Sequence, residues 1–132
     1  MAALHRGHAQ ALIDASLATT TLPTSTSPIK CRLYTTSGTE NGAGTEVSGG
    51  SYVTGGSNVT FAAATNAAPP VASSSSLLSY TGMPACTVVA VGLYDSAGTP
   101  KRLWFGDLAA SKVLNSGDTF QIASGSLTCS LA

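Results

Sequence analysis

The sequence predicts an all-β chain: an antiparallel β-sandwich, jelly-roll-like, preceded by a short N-terminal helix or extended arm. Three observations carry that prediction. Seven or eight short stretches are β-branched or alternate apolar with polar residues. Clusters of Gly, Ser, Asn and Pro separate them at short intervals. Only the first eighteen residues carry a helical apolar spacing. At 132 residues the chain has room for one modest core. The expected division is an arm over residues 1–28 and a β-sandwich domain over 29–132.

Ala9, Leu12, Ile13, Ala15 and Leu17 form an apolar stripe near helical spacing, with Gln10 and Asp14 opposite. Gly7 weakens the start, so the spacing predicts a firm helix from His8 to Ala18, ended by Thr19 to Thr21 and Pro23. So short a helix is marginal in water and needs a surface to lie on. Thr19 to Pro28 reads as an extended Thr/Ser/Pro linker. Ile29, Cys31 and Leu33 then alternate with Lys30, Arg32 and Tyr34, a half-buried strand whose wet face holds the two cations.

Thr36 to Gly50 reads as a long turn, followed by short strands at Tyr52-Val53 and at Asn58 to Ala62. Ala63 to Ser76, with Pro69-Pro70 and four consecutive serines, reads as an exposed loop; Leu77 to Tyr80 is a further strand. Thr87 to Tyr94 is rich in β-branched residues and is the expected central strand. Ser96 to Pro100 turns it into Arg102 to Gly106, the other arm of a hairpin. Ala109 to Ser116 reads as a connection to strands at Asp118 to Ala123 and Leu127 to Leu131. Tyr94, Trp104, Phe105, Phe120 and the Val88–Leu93 run are the expected core.

Composition excludes several functions. Charged residues are 9% of the chain, against about 25% in ordinary domains. Serine and threonine supply the polarity instead, at 35 of 132 residues. A formal net charge of +0 leaves self-association unopposed, which suits a protein that works as an assembly. Six Lys and Arg residues without a basic stripe argue against binding nucleic acid through its phosphates. No apolar run reaches the roughly 18 residues of a membrane span, and no secretory h-region follows Arg6, so assembly is expected in a cytoplasm.

No catalytic constellation emerges. His5 and His8 are the only histidines, spaced to share a helix face, with no Asp, Glu or Cys at ligand spacing. Asp95, Asp107, Asp118, Glu40 and Glu46 form no Asp-x-Asp pair, whereas a calcium site takes about six to eight oxygens. Asp95 and Asp118 are expected to serve turns. The glycine-rich stretch Gly38 to Gly56 lacks a phosphate-loop signature, and no G-x-S-x-G elbow occurs. Cys31, Cys86 and Cys129 read as buried free thiols, with one disulfide and one leftover thiol as the alternative. No enzyme activity, cofactor, metal site or catalytic residue is expected.

The run Gly44-Thr45-Glu46-Val47-Ser48-Gly49-Gly50-Ser51-Tyr52 and the block from Val91 onward add a resemblance. That block reads Val91-Gly92-Leu93-Tyr94-Asp95, Leu103-Trp104-Phe105-Gly106-Asp107-Leu108, Ala110-Ser111-Lys112 and Asn115-Ser116-Gly117-Asp118-Thr119-Phe120, closing with Ala123 to Thr128. It resembles a family of small tailed-phage virion structural proteins, of tail-fibre-like, minor structural or capsid-decoration type. The resemblance breaks at Thr19 to Ser27 and Ala64 to Ala85, and His5, Gly7 and His8 stand where the family commonly has a more regular helix. It implies a virion component. The expected function is capsid decoration, as a cement or head-fibre protein bound to the major capsid protein and to copies of itself in a ring, a trimer among the options. A tail-fibre or tail-tip component touching the host surface is the alternative, with Tyr34, Tyr52 and Tyr80 as candidate glycan contacts, each of them equally readable as a packed residue.

Overall fold

The β-branched run expected as the central strand lies at the middle of the main sheet. A computed structural model describes residues 3–19, 21 and 24–130. Along the described chain the order is β1 (Ala3–Leu4), α1 (Arg6–Leu17), β2 (Ile29–Tyr34), β3 (Ser57–Val59), β4 (Val71–Ser73), β5 (Leu78–Met83), β6 (Cys86–Tyr94), β7 (Arg102–Leu114), β8 (Asp118–Ile122) and β9 (Thr128–Ser130). Every strand pairing is antiparallel. The main sheet runs β1-β7-β6-β2-β3, and β4-β9 and β5-β8 form two further pairs.

The result is the sandwich-like all-β fold that the turn spacing predicts. Cys31, Leu33, Val59, Val88, Val91 and Leu93 of the main sheet meet Leu78, Tyr80 and Met83 of β5, Phe120 of β8, and Leu127 and Cys129 at β9. Past β3 the chain bends toward the second layer. Phe61 bridges to Ser74, and the Ala62 and Ser75 N–H groups donate to the Ser73 and Thr60 carbonyls respectively, which ties the main sheet to β4. β6 is buried on both faces, because Tyr34, Ala90 and Tyr94 pack as a second, smaller cluster.

Several elements depart from the sequence expectation. The helix begins at Arg6, not His8: His5 caps it, its Nδ1 accepting from the Gly7 N–H at 3.3 Å. β1 fixes the approach by pairing Ala3 and Leu4 with Phe105 and Trp104. Tyr52-Val53 is not a strand but joins two turns, closed by the Tyr52 N–H on the Gly49 carbonyl and the Gly56 N–H on the Val53 carbonyl, with flanking glycines of positive φ. Part of the expected loop, Val71–Ser73, is a strand because Cys129 and its neighbours supply a partner far along the sequence.

The expected connection after Ala109 is the continuation of β7. Val88 faces Lys112 while Ala90 faces Asp107, so Leu108 to Ser111 bulge opposite Val89 and break the alternation that marks a strand. Trp104 and Phe105 are only partly buried, and the most enclosed large side chains are Leu33, Met83 and Val47. Thr20, Pro23 and Leu131, assigned above to the end of the helix and the last strand, lie outside the described residues.

Gly56 sits where the loop after β2 returns to it. Its φ is +82°, and a Cβ there would stand 2.1 Å from the Cys31 carbonyl oxygen. Both the backbone conformation and the space demand glycine. Gly56→Ala is therefore expected to lose at least ~2 kcal/mol in urea unfolding. Gly98→Ala, with no atom within 4 Å of the added carbon, should stay within about 0.5 kcal/mol of the parent.

Candidate functional site

The three tyrosines considered as glycan contacts are all buried, which rules that reading out in favour of packed residues. Their rings fill core positions while their hydroxyls satisfy backbone or side-chain groups. Tyr52 Oη donates to Glu46 Oε1 at 2.8 Å and accepts from the Leu33 N–H at 3.1 Å. Tyr80 Oη donates to the Cys31 carbonyl at 2.7 Å, and Tyr34 shares a 3.0 Å hydrogen bond with Tyr94. Burial, first among the causes, pushes all three phenols above their ordinary value. The Arg32 guanidinium lies 3.8 Å from the centroid of the Tyr94 ring and 3.8 Å from Glu46 Oε2. Gly92 leaves space for this stack, as a Cβ there would meet the Tyr34 ring at 3.0 Å.

The acidic residues are dispersed. Asp95 holds the β6–β7 turn, accepting from the Lys101 N–H at 2.8 Å and the Thr26 N–H at 3.3 Å. Burial alone would raise its pKa, but the N–H groups of Lys101, Thr26 and Ala97 outweigh that and hold it below the usual value. Asp118 accepts from the Asn115 N–H at 2.8 Å. Both thus serve turns, as expected. Glu40 pairs with Arg6 at 3.0 Å in an exposed contact. Among the described residues no group of three or more His, Cys, Asp or Glu side chains is placed to hold a metal ion.

All three cysteines are free thiols; Cys31 and Cys129 are buried and Cys86 is partly so. Burial raises the first two to about 11, which leaves them unreactive at neutral pH.

The unspent chemistry of this chain is on its outside. α1 buries no residue, and Ile13 and Leu17, one turn apart, are 58% and 81% exposed. Val53, Leu77 and Val113 are exposed as well. Beside α1 an apolar pocket of about 430 Å3 is lined by Ile29, Val59, Phe61, Leu103 and Trp104. The stretch 62–70, almost all Ala and Pro, projects as the fully exposed tip of the hairpin that leads into β4. Sequence reasoning missed this groove, because its lining comes from strands that only the tertiary fold brings together. Among the described residues no helix is long and apolar enough to cross a membrane.

Exposed apolar positions on α1 and the pocket beside it are therefore the most distinctive surface features among the described residues. Residues 3–130 match the family model described as Podophage GP4 fiber I protein gp80. The chain belongs to this family. The match spans α1, every described strand and both stretches where the sequence resemblance broke. A fibre protein of this family is a structural component of the phage particle, in line with the resemblance. No curated protein matches the chain.

The two histidines make the attachment of α1 sensitive to pH. Burial, then the charges of Arg102 and Arg6, lower the pKa of His5 below 6.5; burial, then His5, with Lys101 adding and Asp95 opposing, lower that of His8. The unfolded chain therefore takes up protons first as pH falls, so stability decreases from pH ~6.5 downward and is flat above it. Protonation at Nδ1 also removes the acceptor that caps α1. The melting temperature of the gp80-family chain should fall between pH 7 and 5.5, and His5→Gln with His8→Gln should flatten that slope. An unchanged slope would contradict the assignment.

Proposed function

We propose that the protein is a non-catalytic building block of a virion fibre, joined to copies of itself and to the particle through exposed apolar surface. The observation that carries this reading is the family match over residues 3–130, whose description names a podophage fibre. Between decoration of the capsid lattice and a fibre, that description favours the fibre, the alternative raised by the sequence. Net charge of +0 and a surface made polar by hydroxyl groups support dense packing of copies, since little repulsion opposes it. The face of α1 that carries Ile13 and Leu17 is the contact we assign, because a helix with no buried residue gains stability from a partner surface.

Immunogold labelling of intact particles tests the placement. Gold on a projecting fibre is the expected result. Gold spread over the head would replace the fibre reading with decoration of the capsid lattice, bound to the major capsid protein, and gold on neither would remove both. For the contact, Ile13→Asp with Leu17→Asp is expected to shift the purified protein toward monomer in light scattering, with an unchanged unfolding midpoint. An unaltered assembly would sink the α1 assignment while leaving the fibre reading in place.

A further inference from the structure

The N-terminus of α1, the loop at 41–43 and the first residues of β7 enclose an open cleft of about 540 Å3. Four basic residues line it, His5, His8, Lys101 and Arg102, and no acidic residue does. Arg102 decides how this cleft reads. It is 7% exposed, yet among the described residues it forms no ion pair. Its Nη2 donates to the Thr39 carbonyl, and its guanidinium lies 4.5 Å from the Phe105 ring centroid. A carbonyl and a ring face orient the charge but do not neutralise it. A buried cation without a counter-ion is costly unless something else supplies the negative charge.

The nearest acidic groups are already engaged. Glu40 pairs with Arg6 on the outside, and the two oxygens of Asp95 accept from the backbone of Lys101 and Thr26. Asp95 is close enough to favour protonated His8, but it does not line the cleft. Lys101 is exposed and turned to the cleft. Gly7 and His8 bring the first turn of the twelve-residue helix α1 to the same wall, and that end of a helix dipole is positive. The four side chains and the helix end therefore converge one sign of charge on one space.

We propose that this cleft binds a small organic anion through its carboxylate or phosphate group, held by Arg102 and Lys101 with His5 and His8 flanking it. A planar guanidinium offers the paired donors that both groups accept. The volume exceeds what one inorganic ion needs, so the anionic group is carried on a larger body. Ala11, Pro100 and Leu103 give that body an apolar wall. Anion binding raises the affinity of both histidines for protons, and by linkage binding tightens as pH falls through their titration.

The test follows the imidazole resonances of His5 and His8 by NMR at fixed ionic strength, in the full chain. Glucuronate and inorganic phosphate are the probes, with glucose and added sodium chloride as controls. The expected result is a saturable shift of both histidines, an upward move of both pKa values and tighter binding at pH 5.5 than at 7.5. Lys101→Gln, at an exposed position, should weaken binding about fivefold without altering the fold. Arg102→Gln should abolish it. Saturation by glucuronate alone assigns a carboxylate, by phosphate alone a phosphate, and by both the shared chemistry. No saturable shift with either probe, or equal shifts with sodium chloride or in Lys101→Gln, would overturn the proposal.

Discussion

The carboxylate of Glu46 is the point on which the long glycine-rich excursion after β2 depends. One oxygen accepts from both the Tyr52 hydroxyl and the Gly55 N–H at 2.8 Å, and the other faces Arg32. Tyr52 in turn accepts from Leu33 N–H, and the Val47 N–H donates to the Leu33 carbonyl at 2.9 Å. The excursion is thereby fastened to β2 from both sides of one residue. Ordering each flexible residue costs roughly 1–2 kcal/mol of backbone entropy, so the segment needs fixed anchor points to stay folded. Once it is fastened, Val47 and Tyr52 close over Cys31 and Leu33, and the core has its lid. Leaving either partner of so enclosed a pair unsatisfied is more damaging than the bond itself is stabilising.

Elements whose stabilising contacts are local were legible in the sequence. The β6–β7 hairpin announces itself by β-branched residues, a Gly-Thr-Pro turn and Asp95, and β2 by its alternation. Elements stabilised from a distance were not. Val71–Ser73 has neither length nor alternation, and is a strand only because β9 reaches it from more than fifty residues away. The outer half of β7 carries a bulge that erases the two-residue period. The tyrosines stayed ambiguous in the sequence for a related reason. A tyrosine in a short strand can face solvent or core, and only the partners of its hydroxyl reveal that each is a core residue with one polar end. Arg102 was likewise invisible, because its burial depends on the loop around Thr39 folding back over it.

These observations connect the composition of the chain to its place in a phage particle. The fold spends few charges, and among the described residues the two ion pairs lie at Arg6–Glu40 and Arg32–Glu46. Its interior polarity is carried by tyrosine hydroxyls, backbone groups and the buried Ser74, Asp95 and Arg102, and its exterior largely by serine and threonine. The low charge leaves a few apolar positions and one basic cleft as the distinguishing marks of the surface.

Thermodynamic coupling between Tyr52 and Glu46 tests the central claim most directly. Tyr52→Phe, Glu46→Gln and the double variant would be unfolded in urea beside the parent protein. A coupling of ~1–2 kcal/mol is the expected result, since Tyr52→Phe removes the donor and Glu46→Gln takes the charge from its part-buried acceptor. Losses that add to within about 0.5 kcal/mol would show that the two side chains act independently, and the anchor described here would be contradicted.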